Sequence, residues 1–413
     1  MNAEGQVVAE KSDARYLSTA EVADRLEIKP ATVYAYVSRG LLTKVAAADR
    51  RGSLFREDEV SRLARGRRRG TGHRSTIEDV TTAISAIDED RLYYRGRDVA
   101  ELVGAQPVES VAGLLWTGEP VTQEFHAPAT LLATTHAAVA ALDPAVRLTD
   151  RMRVAVTVAG ASDPLRFDLS TPGVLRTARI LLAVEAAGLG AAPDDSATLA
   201  EAITPSLTDA AVPPELLDTT LTLLADHGLA VSTVAARVAA SARVHPYAVV
   251  SAGLGALDSQ YHGTASTLAY RFLAEAIADP LGAASERLRL GAGLPGFGHL
   301  VYRVTDPRAE ILLDRLRAIP AAAPALTAVD TITEQLGAPH TTVANVDLAL
   351  AVLMHTYRMR PDAGEALFAL ARTIGWIAHT LEEYTEPPMR FRPTRTPPLT
   401  ARNYDETGSI ATT

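Results

Sequence analysis

Between residues 126 and 260 the chain is a succession of Ala/Leu/Val segments separated by loops of Pro, Asp and Gly. Within each segment apolar residues recur at i, i+3 and i+4, the spacing that lines one face of a helix. In Glu215–Leu224, Leu217, Leu221 and Leu224 share such a face. Segments of this kind bury a stripe only by packing on one another, so the chain is expected to be mainly α. Aromatic residues are scarce at 5 %, while the strong helix formers Ala and Leu are abundant, which points the same way. At 413 residues the chain is long enough for two or three domains and a large core.

Several classes of chemistry are set aside by what is missing. There is no cysteine, hence no disulfide framework and no thiolate metal site. No HExxH, CxxC, GxxxxGK[ST] or strand-following GxGxxG occurs, so no metal or nucleotide redox cofactor is expected. The first residues, MNAEGQVVAEKSDAR, are polar and lack the apolar region of a secretory signal. The charge-free run from Glu124 to Asp143 contains Pro128, histidines and threonines, and reads as a soluble helix rather than a membrane span. A soluble, cytoplasmic protein is expected.

Charge divides the chain. Residues 1–76 hold 15 Lys+Arg against 10 Asp+Glu, whereas the whole chain carries −9, leaving −14 for the remainder. A basic head on an acidic body suggests two modules. In the head, Ser18 and Glu21 form a capping box before a helix bearing Val22, Ala23 and Leu26. Pro30 suits the first turn of a second helix over 31–39, and Gly40 ends it. A hairpin over 44–55 and a closing helix over 56–64 would follow. The segment YLSTAEVADRLEIKPATVYAYVSRGLL resembles the MerR and excisionase-like winged helix-turn-helix modules. In a DNA-binding reading, Lys29, Tyr34, Arg39, Arg50 and Arg51 meet phosphates or bases. In the other reading the module is a scaffold that docks on its own body or on a partner. Residues 65–76, rich in Arg and Gly, read as a basic flexible linker.

The chemistry lies further on. Residues 293–308 read GLPGFGHLVYRVTDPR. Gly296 and Gly298 bracket Phe297 and permit a tight turn beside His299, with Arg303 and Arg308 following. One imidazole donor for a carbonyl and two fixed cations for anions are thereby brought into one segment. Upstream stands His262 in QYHGTAS, and downstream Asp347 in NVD, where it and Asn345 could equally cap the helix 348–357. Residues 367–379 read LFALARTIGWIAH and contain Phe368 and Arg372.

These segments, PGFGH with DPR, NVD and FALARTIGWIAH, closely resemble the signatures of the citrate synthase family. The likeness runs from Ser75 to about Arg395 and includes ISAIDEDRLYYRGRDV (84–99) and SVAGLLWT (110–117). The resemblance implies a citrate synthase fold with large and small helical domains: 77–262 with 348–396, and 263–347. The winged module (1–64) and linker (65–76) precede it, and a tail (397–413) follows. It implies a Claisen-type condensation of acetyl-CoA with oxaloacetate, with no cofactor beyond the coenzyme A thioester, in a homodimer. Asp347 would be the base, His262 the donor to the thioester oxygen, and His299 the donor to the ketone. His227, Arg308, Arg372, Arg392 and Phe368 would bind the dicarboxylate, and Arg303, Gly296 and Gly298 the coenzyme. Arg392 lies in RFRP, similar to the family's tail that reaches the neighbouring subunit's site. The chain departs from the pattern in having HGTAS for HGGAN and Asp226-His227-Gly228 for Asp-His-Glu. Both changes lie near the acyl and dicarboxylate pockets. They leave open a 2-methylcitrate synthase using propionyl-CoA, or a DNA-binding regulator whose synthase body senses a ligand.

Overall fold

The computed structural model describes residues 16–26, 33, 37, 42, 45–46, 53–57, 60, 80–192, 197–259, 262–299, 301–302, 304–336 and 343–392. The chain divides into two compact units, residues 1–78 with 392–413 and residues 79–391.

In the first unit, β1 (Tyr16–Ser18), α1 (Thr19–Arg25), β2 (Val45–Ala46) and β3 (Ser53–Arg56) are described. The capping box is formed: the Glu21 N–H donates to Ser18 Oγ at 3.3 Å, and the Ser18 N–H donates to Glu21 Oε2 at 2.7 Å. Antiparallel β2 and β3 match the expected hairpin. β1 adds a third strand that no periodicity announced, pairing Tyr16 with Arg56. That pairing keeps Arg56 in a strand, so it does not begin the closing helix. Val22, Ala23, Leu26, Val33, Leu42, Phe55 and Val60 form a small core of their own. Lys29, Tyr34, Arg39, Arg50 and Arg51 lie outside the described residues, as do the linker and the tail.

The second unit opens with a three-stranded antiparallel meander, β4 (Ser85–Asp88), β5 (Arg91–Tyr94) and β6 (Arg97–Asp98). Glu89 and Asp90 both take positive φ, 46° and 58°, in the two-residue hairpin between β4 and β5. Helices follow: α2 (Val99–Leu102), α3 (Val108–Thr117), α4 (Ala129–Ala140), α5 (Leu148–Ser162), α6 (Thr171–Leu189), α7 (Leu199–Leu207), α8 (Pro214–Leu224), α9 (Val231–Ser241) and α10 (Pro246–Leu257). Then come α11 (Ala265–Ala278), α12 (Pro280–Arg289), α13 (Pro307–Arg317), α14 (Ala323–Leu336), α15 (Val346–Thr356) and α16 (Ala363–Thr385). The expected helices at 110–117, 215–224 and 348–357 are present within one or two residues. The charge-free run holds α4, and no described helix is long and apolar enough to cross a membrane.

α16 is the axis of this unit. It packs against α3, α5, α6, α8, α9, α10, α11 and α15. Leu367, Leu370, Ile374, Trp376 and Ile377 are fully buried on it. Burial of each such side chain contributes about 1.5–3 kcal/mol, and truncating one, as in Leu370→Ala, costs about 2–5 kcal/mol. The apolar character all round α16 is that of a helix enclosed by others. Gly375 lets it close onto the end of α8, since a Cβ there would lie 2.4 Å from the Ala225 carbonyl oxygen. That contact fixes the side chains just before it, among them Arg372.

Candidate active site

Four pieces of chain converge: the end of α8 with His227, the turn before α11 with His262, the loop 293–306 leading into α13, and the start of α15. The last two are zipped together by backbone. The Gly298 N–H donates to the Val343 carbonyl at 2.7 Å, and the Asn345 N–H donates to the Gly296 carbonyl at 2.9 Å. Asn345 Nδ2 also donates to the Gly298 carbonyl at 3.0 Å. Gly296 has φ +85°, and a Cβ on it would meet Leu348 Cβ at 2.8 Å. Glycine is required there by both conformation and space. Its bare face is turned to α15.

Asn345 is the N-cap of α15, accepting from the N–H groups of Asp347 (3.0 Å) and Leu348 (3.3 Å). Asp347 therefore does not cap. It stands inside the first turn, with its Oδ1 buried and without a hydrogen-bond partner. Burial pushes its carboxyl up to about 7, with Asp306 adding to the shift and Arg308 and Arg372 opposing it.

Arg308 is buried on α13, its Nε and Nη2 forming a two-pronged pair with Asp306 at 3.0 and 2.8 Å. Arg372, fully buried on α16, differs. Its Nε donates to the Leu224 carbonyl at 3.0 Å, while Nη1 and Nη2 have no partner. Its guanidinium lies 4.6 Å from the Phe368 ring centre. Burial lowers its pKa to about 10, and Arg308 adds to the lowering. A buried guanidinium with two unpartnered nitrogens beside a second one is costly unless an anion joins it.

The histidines surround this cationic pocket. His299 Nδ1 accepts from the N–H groups of Val301 (2.9 Å) and Tyr302 (3.1 Å). The neutral ring then carries its proton on Nε2. Nε2 lies 3.3 Å from Arg308 Nη2, so two donors face the same space. His227 Nε2 is 2.9 Å from the Tyr302 hydroxyl, and its ring meets that of His299 edge-on at 5.5 Å. His262 Nε2 is 2.8 Å from Ser232 Oγ, and its ring stands edge-on to Phe368 at 5.3 Å. Burial, then the arginines, lowers all three imidazoles, His262 to about 4 and His227 well below the usual range. They are neutral donors at physiological pH.

His227, His262, His299, Arg308, Asp347, Phe368 and Arg372 are thus brought together. Arg303 lies outside the described residues. Arg392 falls in the other unit. Tyr302, Asp306 and Ser232 were not singled out from the sequence. Asp306 had a signal in the DPR helix start, and Tyr302 in its place three residues after His299. Ser232 had none, because only the fold puts it beside His262.

A mainly helical body in which neutral imidazoles and one raised carboxyl ring a cationic pocket defines an acid–base site for an anionic substrate. The chain matches the family described as citrate synthase, C-terminal domain, over residues 74–394, and a helix-turn-helix domain over residues 16–68. The protein belongs to the citrate synthase family and carries a helix-turn-helix domain ahead of the synthase body. It is 35 % identical to the citrate synthase of Haloferax volcanii over 178 residues, 42 % of this chain and 47 % of that protein. It is 28 % identical to 2-methylcitrate synthase 2 of Corynebacterium glutamicum over 342 residues, 73 % of this chain and 88 % of that protein. The match to the H. volcanii protein, like that to the citrate synthase of Acidithiobacillus ferridurans (49 % of its length), spans about half of the relative. Citrate synthase of Thermotoga maritima has the same fold, with a TM-score of 0.65 at 24 % identity over 79 % of this chain and 95 % of that one. So has that of Thermoplasma acidophilum in a ternary complex with carboxymethyl coenzyme A and oxaloacetate, with a TM-score of 0.66 at 22 % identity over 80 % and 95 %.

Proposed function

We propose that the protein condenses acetyl-CoA with oxaloacetate, giving citrate and free coenzyme A. The observation that carries this reading is Arg372, a fully buried guanidinium with both terminal nitrogens unpartnered. With Arg308 it forms a clamp for the carboxylates of a 2-oxo diacid. The Asp347 carboxylate takes a proton from the thioester methyl group, and His262 donates to the thioester oxygen as it becomes an enol. The enol carbon attacks the oxaloacetate ketone. His299 Nε2–H polarises that ketone and yields its proton to the new alkoxide. Water then cleaves the citryl thioester, releasing citrate and coenzyme A. A base held near 7 is matched to this task at physiological pH.

The remaining roles belong to the same reading. His227 and Phe368 line the diacid. Arg303, with the Gly296 and Gly298 backbone, serves the coenzyme A phosphates. Arg392 completes the neighbouring site of a homodimer. The body divides into a large domain (77–262 with 348–396) and a small one (263–347) that closes over substrate. His262 in its turn and Asp347 at the start of α15 stand at these borders. No group of three metal-ligating side chains occurs among the described residues, and the chemistry calls for none. The head binds DNA, consistent with its helix-turn-helix match and its basic charge. A second reading, 2-methylcitrate formation from propionyl-CoA, is supported by the C. glutamicum relative, which is matched over most of its length. Thiol release measured in parallel with acetyl-CoA and propionyl-CoA separates the two by the ratio of kcat/KM. A regulator with a sensor body has no use for the base, and release of no thiol with either substrate would favour it.

A further inference from the structure

Behind the pocket runs a buried polar chain that the reaction above does not use. Asp226, just past the end of α8, is fully buried. Its Oδ2 accepts from the Ser85 hydroxyl and, at 3.2 Å, from the Gly228 N–H. His379 Nε2 lies 3.3 Å from Oδ1 and 3.4 Å from Oδ2. On its far side, His379 Nδ1 is 2.9 Å from Nη1 of buried Arg237, which is in turn paired with Glu382 and, at 3.0 Å, with Glu383. A guanidinium only donates, so Nδ1 is bare and the imidazole proton sits on Nε2, facing Asp226. Three donors thus meet one carboxylate in a dry interior. Burial works against its ionisation, but His379, Arg372 and Ser85 outweigh it and hold Asp226 below the usual carboxylate range.

Asp226 is also next to Arg372. The Nε of Arg372 donates to the Leu224 carbonyl, two residues before Asp226. A Cβ on Gly375 would fall 2.5 Å from Asp226 Oδ1, so the carboxylate rests on bare α16 backbone one turn beyond Arg372. Yet no hydrogen bond joins them, because Nη1 and Nη2 of Arg372 are unpartnered. Arg308 is neutralised by contact with Asp306 and gives up part of its fork to that pair. Arg372 keeps its fork open.

We propose that Asp226 is the non-contact counter-ion of Arg372, a positioning residue held ionised by His379 and Ser85. It balances the guanidinium's positive charge through space while the site is empty and leaves both terminal nitrogens to a substrate carboxylate. This rests on the reading of Arg372 as a carboxylate clamp. The other titratable groups around Arg372 are Arg308, Tyr94 and Tyr302, and His227, His262 and Asp347 also feel its charge. Among the groups that favour the charged guanidinium, Asp226 acts most strongly, ahead of Tyr94 and Tyr302.

The test follows the guanidinium carbon of Arg372 by NMR against pH in the full-length protein, its signal assigned by loss in Arg372→Lys. Oxaloacetate affinity is measured by calorimetry on the same samples. Asp226→Asn should lower the Arg372 midpoint by about one pH unit or more, so that oxaloacetate affinity begins to fall at a pH about one unit or more below that of the wild type. Ser85→Ala and His379→Leu should move both readouts the same way by less, and they carry the test if Asp226→Asn does not fold. A purely structural role would weaken binding equally at every pH and leave the midpoint in place. If the wild type binds no oxaloacetate while the midpoint still falls in the variants, the substrate reading fails and the counter-ion stands. An unmoved Arg372 midpoint in the folded variants overturns the proposal.

Discussion

The Arg308 guanidinium donates two hydrogen bonds to Asp306, at 3.0 and 2.8 Å, the Arg308 backbone N–H donates a third at 3.0 Å that caps α13, and the same carboxylate accepts the Val346 N–H at 3.0 Å. One buried acid therefore ties an arginine of the clamp to the residue preceding Asp347. Asp306→Ala removes the helix cap, leaves Arg308 buried without its partner and frees the start of α15. It should cost about 3–5 kcal/mol of stability, read as a lower urea midpoint. In protein that remains folded, oxaloacetate KM should rise and kcat should fall together. A change confined to stability would separate Asp306 from the site.

Gly296→Ala probes the zipper between the two loops. The φ of +85° and the 2.8 Å approach to Leu348 Cβ leave no room for a methyl group. Overpacking of this kind costs about 1–3 kcal/mol, and here it should displace Asp347. The expected result is a lower melting temperature with kcat reduced more than tenfold. Unchanged kinetics would mean that the loop contact does not position the base.

Much of this was legible in the sequence, for physical reasons. The period of 3.6 in the Leu and Ala segments specifies helices whatever they pack against, and α8 and α15 appear within two residues of expectation. The cap of α15 stays open in the sequence, because Asn345 and Asp347 both suit it, and only the structure decides for Asn345. β1 escaped notice because three residues carry no period, and its partner Arg56 lies forty residues away. The site residues were readable as types in order: His262, His299, Asp347. What they lean on was not. Ser232, Tyr302 and Asp226 act through distances that only the packing of α8, α9 and α16 creates.

The pH profile should carry the mark of Asp347. With its carboxyl at about 7 in the empty site, kcat/KM should rise with pH through about 7 and level off above, since the base works only when ionised. The neighbouring imidazoles add no limb there, because they are already neutral. The same shift affects stability. Its folded pKa lies above the unfolded value, so the unfolded chain releases this proton first as pH rises from about 4 to 7. Asp347 then destabilises the fold progressively across that window and by a constant amount above it, up to about 4 kcal/mol. Asp347→Asn should melt later than wild type at pH 8 and nearly together with it at pH 4. Equal melting at both values would refute the raised carboxyl.

The head and body are expected to work independently. Removing residues 1–74 deletes the basic module and leaves the unit of residues 79–391 intact. The truncated protein should keep its kcat. The full chain alone should retard DNA in gels, losing affinity steeply between 50 and 200 mM salt, in the manner of phosphate contacts, by roughly 10³-fold or more if six phosphates are met. An inactive truncation, with no retardation by the full chain, would assign the head a scaffolding role instead.

The central claim is that Asp347 drives a condensation between a thioester and oxaloacetate. Its most direct test is thiol release from acetyl-CoA followed colorimetrically, with and without oxaloacetate, in wild type and Asp347→Asn. Wild-type protein should release thiol only when oxaloacetate is present. Asp347→Asn should lose on the order of 10³-fold in kcat while retaining oxaloacetate binding. Near-normal turnover by Asp347→Asn, or thiol release indifferent to oxaloacetate, would contradict it.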